Sequence, residues 1–268
     1  MGERLLSLAA GTVLDVGPVE AVDVAARAGW PAVGIWFDPV TWTITTARDV
    51  RRRLDATGLV AIDLEPVILG RGDDHGERLV AAAAELGAKH VLMASGGADD
   101  ARVAERLHAL CELAAASAPG LRIVLEFLPI FSVRRLGQAV TIVASVGRPE
   151  AGVLVDTLHL ARSGGTPTDL AAVDPALLPY VQLADAVADA PTDWEGLRDE
   201  ALHGRLLPGE GALPLGAMLA AVPAVPVSVE LRSQALIDEF PDPVARARAV
   251  LQATRRVVGL DSATGDGR

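Results

Sequence analysis

Short runs rich in Val, Ile and Leu alternate along the chain with longer stretches in which Ala, Leu and Arg recur at helical spacing. A run of four to eight apolar residues bounded by Gly, Pro or Asp predicts a strand, and a recurrence near 3.6 residues predicts a helix packed against it. LLSLAAG opens the series as a strand, followed by a helix over PVEAVDVAARAG, where Pro18 suits the first turn and Gly29 the stop. PAVGIWF is the second strand, then come helix TARDVRRRLDATG, strand LVAIDLEP ending at Glu65, helix DHGERLVAAAAELG and strand HVLMASGG. A long helix within ADDARVAERLHALCELAAASAPG leads to strand LRIVLEF, helix FSVRRLGQAVTIVASVG and strand AGVLVD. Two short helices, around TLHLARSGG and PTDLAAV, precede strand PYVQLAD. The stretch from Ala186 to Gly211 has no clear period and reads as a long loop, the kind that is usually functional or disordered. Helix GALPLGAMLAAV, strand VPVSVE and helix PDPVARARAVLQATRRVV complete the pattern.

Eight strand-helix units in this length predict an α/β fold, a closed (β/α)8 TIM barrel, as a single domain over residues 1–258. Residues 259–268 read as a polar tail expected to fray. An open doubly wound sheet is the alternative, but LLSLAAGTVLDVG carries neither G-x-G-x-x-G nor the P-loop spacing after the first strand.

Four of the predicted strands end in an oxygen side chain: LRIVLE at Glu126, AGVLVD at Asp156, PYVQ at Gln182 and VPVSVE at Glu230. In a barrel these ends share one face, where active sites form. Buried carboxylates need a shared cation or basic partners, because an unpaired buried charge costs several kcal/mol of desolvation. Helix capping or arginine pairing would explain any one of these residues, whereas four at successive ends favour a metal. Three carboxylates and an amide suit one hard divalent ion, Mn²⁺ or Mg²⁺ first, with Co²⁺ and Zn²⁺ left open. His159 lies three residues past Asp156, one turn into the next helix, which turns its ring toward the same mouth.

Arg205, on the long loop, either balances Glu210 at the surface or offers a planar fork to a substrate carboxylate, phosphate or hydroxyl pair. Glu65 and Asp185 are candidates for binding substrate or supporting groups that do. Trp36 is placed to pack on a sugar face or to act as a hydrophobic lid.

Composition narrows the partners. Half of the 268 residues are hydrophobic but only 3% are aromatic, so the core must be built from Ala, Val, Leu and Ile. The formal net charge of −11 argues against nucleic acid and against an anionic membrane surface, both of which reward basic patches. A small-molecule substrate fits better, and a homo-oligomer is compatible with the chain. Cys111, the one cysteine, falls in a helical pattern as a small buried hydrophobe. The N-terminal apolar run is too short for a membrane span and its acidic residues do not suit a signal peptide, so the expected location is cytoplasmic.

The pieces LAAGTVLD, LEFLPI, VDTLHLARSGG, VQLADA, RLLPGEG and VSVELRS, in this order, resemble the sugar phosphate isomerase/epimerase family of xylose-isomerase-like TIM barrels over nearly the whole chain. The resemblance implies a carbohydrate-like substrate and a ligand set of Glu, Asp, His and Glu, mapped here onto Glu126, Asp156, Gln182 and Glu230. Gln182 departs from the commoner histidine and is similar to the arrangement in the 3-dehydroshikimate dehydratase branch. Two reactions follow as expectations. The first is isomerisation or epimerisation beside a carbonyl, with Glu126 and Glu230 as the acid/base pair and His159 binding a substrate hydroxyl. The alternative is a dehydratase-type lyase on the same metal, with His159 as base and Arg205 holding a carboxylate. An apurinic-site endonuclease would share the barrel but should show several metal-binding histidines and a basic face. A non-catalytic binding module is the remaining reading.

Overall fold

The computed structural model describes residues 4–70 and 72–259. Eight parallel strands close into a barrel in sequence order, β1 through β8, with β8 paired back to β1. They are β1 (Leu6–Leu8), β2 (Ala32–Trp36), β3 (Val60–Ile68), β4 (His90–Ala94), β5 (Arg122–Glu126), β6 (Ala151–Asp156), β7 (Val181–Leu183) and β8 (Val227–Val229). The α-helices are α1 (Pro18–Ala28), α2 (Ile44–Thr57), α3 (Gly76–Leu86), α4 (Asp100–Ser117), α5 (Leu136–Val146), α6 (Thr157–Arg162), α7 (Pro167–Ala171), α8 (Trp194–His203), α9 (Leu215–Ala221), α10 (Gln234–Glu239) and α11 (Pro243–Val258).

Helix boundaries follow local chemistry. Pro18 opens α1, and Gly29 closes it at φ +91°, a conformation that costs a residue with a Cβ. Thr43 and Thr46 cap each other's backbone at the start of α2, so the helix begins ahead of the predicted TARDV. Asp99 and Asp242 accept first-turn amides of α4 and α11.

Alternation along the strands separates two cores. Leu6, Leu8, Val33, Ile35, Val91, Met93, Ile123, Leu125, Val153, Val155, Val227 and Val229 point outward into the large cluster shared with the helices. Each such side chain contributes about 1.5–3 kcal/mol on burial, so this ring between sheet and helices carries most of the stability. The residues between them point into the barrel. There a small cluster of Ile62, Leu92, Val124, Leu154 and Tyr180 fills part of the lumen.

The predicted barrel is therefore the observed fold, with three local departures, the first being that β3 runs on past Glu65 to Ile68. The stretch from Ala186 to Gly211 is not one loop: Asp193 caps the three-turn helix α8 within it. Helix α10 was not anticipated, although Ser233 caps it by accepting the Leu236 amide. Among the described residues no helix is long and apolar enough to cross a membrane. Residues 260–268 of the predicted tail lie outside the described residues.

Candidate active site

Glu126 and Asp156 end β5 and β6, Gln182 is the middle residue of β7, and Glu230 directly follows β8. Each occupies an inward position two residues after Val124, Leu154, Tyr180 and Ser228 respectively, and all four are buried. Asp156 is in register with Gln182, and Gln182 with Ser228, so the expected set gathers at one end of the lumen.

Glu230 is held from several directions. The Thr12 hydroxyl donates to the Val229 carbonyl (2.9 Å) and accepts from the Leu231 amide (2.9 Å), gripping the backbone on either side of residue 230. The Glu230 amide donates to the Leu183 carbonyl at 3.1 Å. A Cβ on Gly11 would clash with the Glu230 side chain, so a glycine at residue 11 leaves the carboxylate the room it occupies.

Asp156 caps α6. Its Oδ1 accepts from the amides of Leu158 (2.7 Å) and His159 (3.3 Å), and its Oδ2 pairs with Arg205. Arg205 Nη2 reaches Glu230 Oε2 at 3.1 Å, Nη1 reaches the Glu230 carbonyl at 3.3 Å, and Nε donates to the Ala201 carbonyl at 3.0 Å. Its neighbours are fixed in turn, since Leu206 bridges to Asp185 and Gly204 to Ser233. With Nη1 bound to two acceptors and Nε and Nη2 each to one, at most one of the five N–H groups remains for a ligand. The fork expected to grip substrate is thus mainly spent on holding two acids.

Burial, with Glu230 and Asp156 nearby, pushes the Glu126 carboxyl well above the ordinary range. Burial also raises Glu230, against the pull of Arg205. Burial works the same way on Asp156, but Arg205 and His159 outweigh it and hold that carboxyl low. Burial lowers His159 to about 4, opposed by Asp156, so its ring is neutral near pH 7. Its Nε2 lies 3.9 Å from Glu126 Oε1, and candidate ligand atoms of Glu126, Asp156 and His159 all fall within 4.8 Å of one another.

Arginine pairing accounts for Asp156 and Glu230 but not for Glu126 or Gln182. Both amide atoms of Gln182 are fully buried and lack a hydrogen-bond partner, a state that costs about 1–3 kcal/mol. Asp156 has used three of its roughly four lone-pair sites and keeps one. A hard divalent cation fits this donor set: it would take the unpartnered Gln182 oxygen and offset the charge that Arg205 leaves uncompensated.

Above these groups opens a cavity of about 190 Å³ lined by Trp36, Glu65, Glu126, His159, Arg205 and Glu230, with Pro66, Ile68 and Phe131 among its apolar walls. A larger hollow of about 470 Å³ shares Trp36, but its single ionisable side chain is Asp38, so the chemistry belongs to the smaller one. Glu65 is raised well above the usual range by burial and by Asp63, and Arg232 opposes the shift. Of the two roles considered for Asp185, its contacts are those of a supporting group. Its oxygens accept the amides of Ala186, Gly209 and Leu213 at 2.9–3.0 Å, which ties down the loop that carries Arg205.

Arg232, Trp194 and Arg198 also line the cavity and were not singled out in the sequence. Arg232 shares the inward parity of Glu230, a signal that was available. Trp194 and Arg198 are four apart on one face of α8, hidden in the segment read as a loop.

A family model described as a xylose isomerase-like TIM barrel matches residues 22–256. The chain is 30% identical over 246 residues to a 3-dehydroshikimate dehydratase of Pseudomonas aeruginosa, covering 86% of this chain and 38% of that protein. It is 33% identical over 117 residues to an inosose isomerase of Halalkalibacterium halodurans, covering 42% of this chain and 39% of that one. The chain thus spans about two fifths of the length of these curated relatives, which are enzymes. The crystal structure of the IOLI protein with a binding zinc atom superposes with a TM-score of 0.79 at 20% identity, over 96% of this chain and 99% of that one, a likeness of fold. Eight parallel strands in closed order, acids gathered at the C-terminal strand ends and a family match over most of the sequence agree: the chain belongs to the xylose isomerase-like TIM barrel family.

Proposed function

We propose that this chain is a divalent-metal-dependent enzyme that moves a proton beside a carbonyl of a sugar or cyclitol, as an isomerase or epimerase. The observation that carries the reading is one cavity lined by two buried glutamates from separate strands, Glu126 and Glu230, at the same end of the barrel as the unpartnered amide of Gln182. Glu126, Asp156, Gln182 and Glu230 would hold the cation, which supplies a Lewis acid for the carbonyl and lowers the cost of charge left when the adjacent C–H loses its proton. Glu126 on β5 and Glu230 after β8 come from well-separated strands, so one can take a proton on one face of a bound substrate while the other returns it on the opposite face. Neutral His159 beside Glu126 binds a hydroxyl of the substrate. Arg205 keeps Asp156 and Glu230 in position, and the walls around Phe131 exclude water.

The dehydratase reading stands second, supported by Gln182 and by the match to the dehydratase along 86% of the chain. In it, His159 takes the proton, as a ring that is neutral near pH 7 and lies 3.9 Å from Glu126. One experiment separates the two. Mn²⁺-loaded protein is incubated in D₂O with a keto-cyclitol or, separately, with 3-dehydroshikimate, after elemental analysis of the wild type and of Asp156→Ala. We expect about one ion per wild-type chain, loss of most of it in the variant, and deuterium entering the keto-cyclitol without net dehydration. Protocatechuate absorbance with 3-dehydroshikimate instead would establish the lyase, and unchanged metal content in Asp156→Ala would sink both.

A further inference from the structure

We propose that Arg198 and Arg232 form an anion-reading rim over this cavity, so that the substrate is a polyhydroxy compound carrying a carboxylate or phosphate at the end remote from Asp156 and Gln182. The inference rests on the proposed function for the buried end of the cavity and adds the chemistry of its entrance. Arg205 has at most one N–H to spare, whereas the guanidinium groups of Arg198 and Arg232 form no ion pair with any described residue. Both instead lie over indoles that line the same cavity: Arg198 is 6.0 Å from the Trp194 ring centre and Arg232 is 5.8 Å from that of Trp36. A guanidinium held over a ring face by a cation–π contact keeps its N–H groups available for bidentate recognition of an oxyanion.

The two stacks sit on opposite sides of the mouth. Trp36 ends β2 and Arg232 follows β8, the two strands that flank β1. Trp194 donates from Nε1 to the Ile130 carbonyl at 3.1 Å, just beyond β5, which in an eight-stranded ring faces β1. In a chain with 24 basic against 35 acidic residues, two unpaired arginines converging on one small cavity mark a site for negative charge. Glu65 and Glu230 line the same cavity near Arg232, but neither forms an ion pair with it, and Glu230 is paired with Arg205. The apolar walls at Pro66, Ile68 and Phe131 fit the C–H face of a ring, with its hydroxyls toward the buried acids.

The test is calorimetric titration of Mn²⁺-loaded protein with three ring polyols: quinate, myo-inositol 1-phosphate and neutral myo-inositol. At least one anion should bind about tenfold tighter than myo-inositol, the preference weakening with added salt. Whichever of quinate and the phosphate binds tighter assigns the anion. In the doubly substituted Arg198→Gln/Arg232→Gln protein the preference should fall to about twofold or less with metal content unchanged, and Arg198→Lys/Arg232→Lys should retain part of it. Equal binding of all three compounds by the wild type, or a preference that survives in the Gln variant, overturns the proposal. Metal content measured on the same samples reports on the buried site separately, so failure of the rim and failure of the metal reading are distinguishable.

Discussion

One inward step below the mouth, the lumen of the barrel has two unlike sectors. Beneath β4 to β6 it is filled by Leu92, Val124 and Leu154, all buried and in mutual contact. Around the other side the equivalent positions are Tyr180 just before β7, Ser228 on β8, Ser7 on β1 and Asp63 on β3, and each has a fully buried side-chain oxygen without a hydrogen-bond partner. The Tyr180 hydroxyl favours the charged form of Asp63 but stands outside hydrogen-bonding geometry. A Cβ on Gly34 would come within 2.5 Å of Asp63 Oδ1, so that acid also depends on a missing side chain. The apolar sector stabilises the barrel. In the polar sector each group left without a partner would cost about 1–3 kcal/mol, in the part of the lumen that adjoins Gln182 and Glu230.

The largest effect should come from opening the apolar sector. Leu154 is fully buried between Val124 and the lumen side of β7, and Leu154→Ala removes its contacts and leaves a hole that strands cannot collapse around. The expected loss is about 2–5 kcal/mol, read as a lower urea midpoint at unchanged slope.

A smaller effect lies where the sectors meet. His90 faces inward on β4, its Nδ1 is 2.7 Å from the Ile62 carbonyl, and its ring packs on Tyr180 with centres 4.6 Å apart. Burial lowers its pKa to about 4 from an ordinary 6.5. The unfolded chain therefore binds the extra proton in that window and the folded chain resists it. Stability is fully expressed above pH 6.5 and declines as pH falls toward 4, by at most about 3 kcal/mol. Asp63, in register with His90, acts oppositely: burial raises it to about 7, so the stability from its protonated form is lost as pH rises from 3.8 through 7. The wild-type slope mixes the two. Subtracting the urea stability of His90→Gln from that of the wild type isolates the histidine, and a difference independent of pH between 4 and 6.5 would refute its assignment.

The two sectors also explain what was legible in the sequence. The apolar runs of LRIVLEF and AGVLVD announce buried strands, and their last residues, Glu126 and Asp156, stand where strand-end reasoning puts them. Gln182 and Glu230 were found the same way, because four oxygens recurring at the ends of apolar runs point to one shared site where a single one would not. Partners across the barrel were not legible. That Arg205 clamps Asp156 and Glu230, and that Asp185 holds a loop, depends on a return of the chain between β7 and β8 that no local period encodes. Ser7, Asp63 and Ser228 were overlooked for a related reason: inside an apolar run a polar residue looks like an outward position, and the bulge in β3 shifts the parity that would have shown otherwise.

The smallest expected effect separates the sectors most sharply. Tyr180 shares the apolar cluster through its ring and the polar sector through its hydroxyl, so Tyr180→Phe keeps the packing and deletes one unpartnered oxygen. Removing a buried hydroxyl that makes no hydrogen bond should leave stability unchanged or raise it, by up to about 1 kcal/mol. Leu154→Ala, a deletion in the same cluster, has the opposite sign because its lost atoms were packed. A destabilisation of about 1 kcal/mol or more in Tyr180→Phe would mean that the hydroxyl is bonded in solution, through Asp63 or water. The polar sector would then be a satisfied network, and the contrast between the two halves of the lumen would be one of chemistry and not of energy.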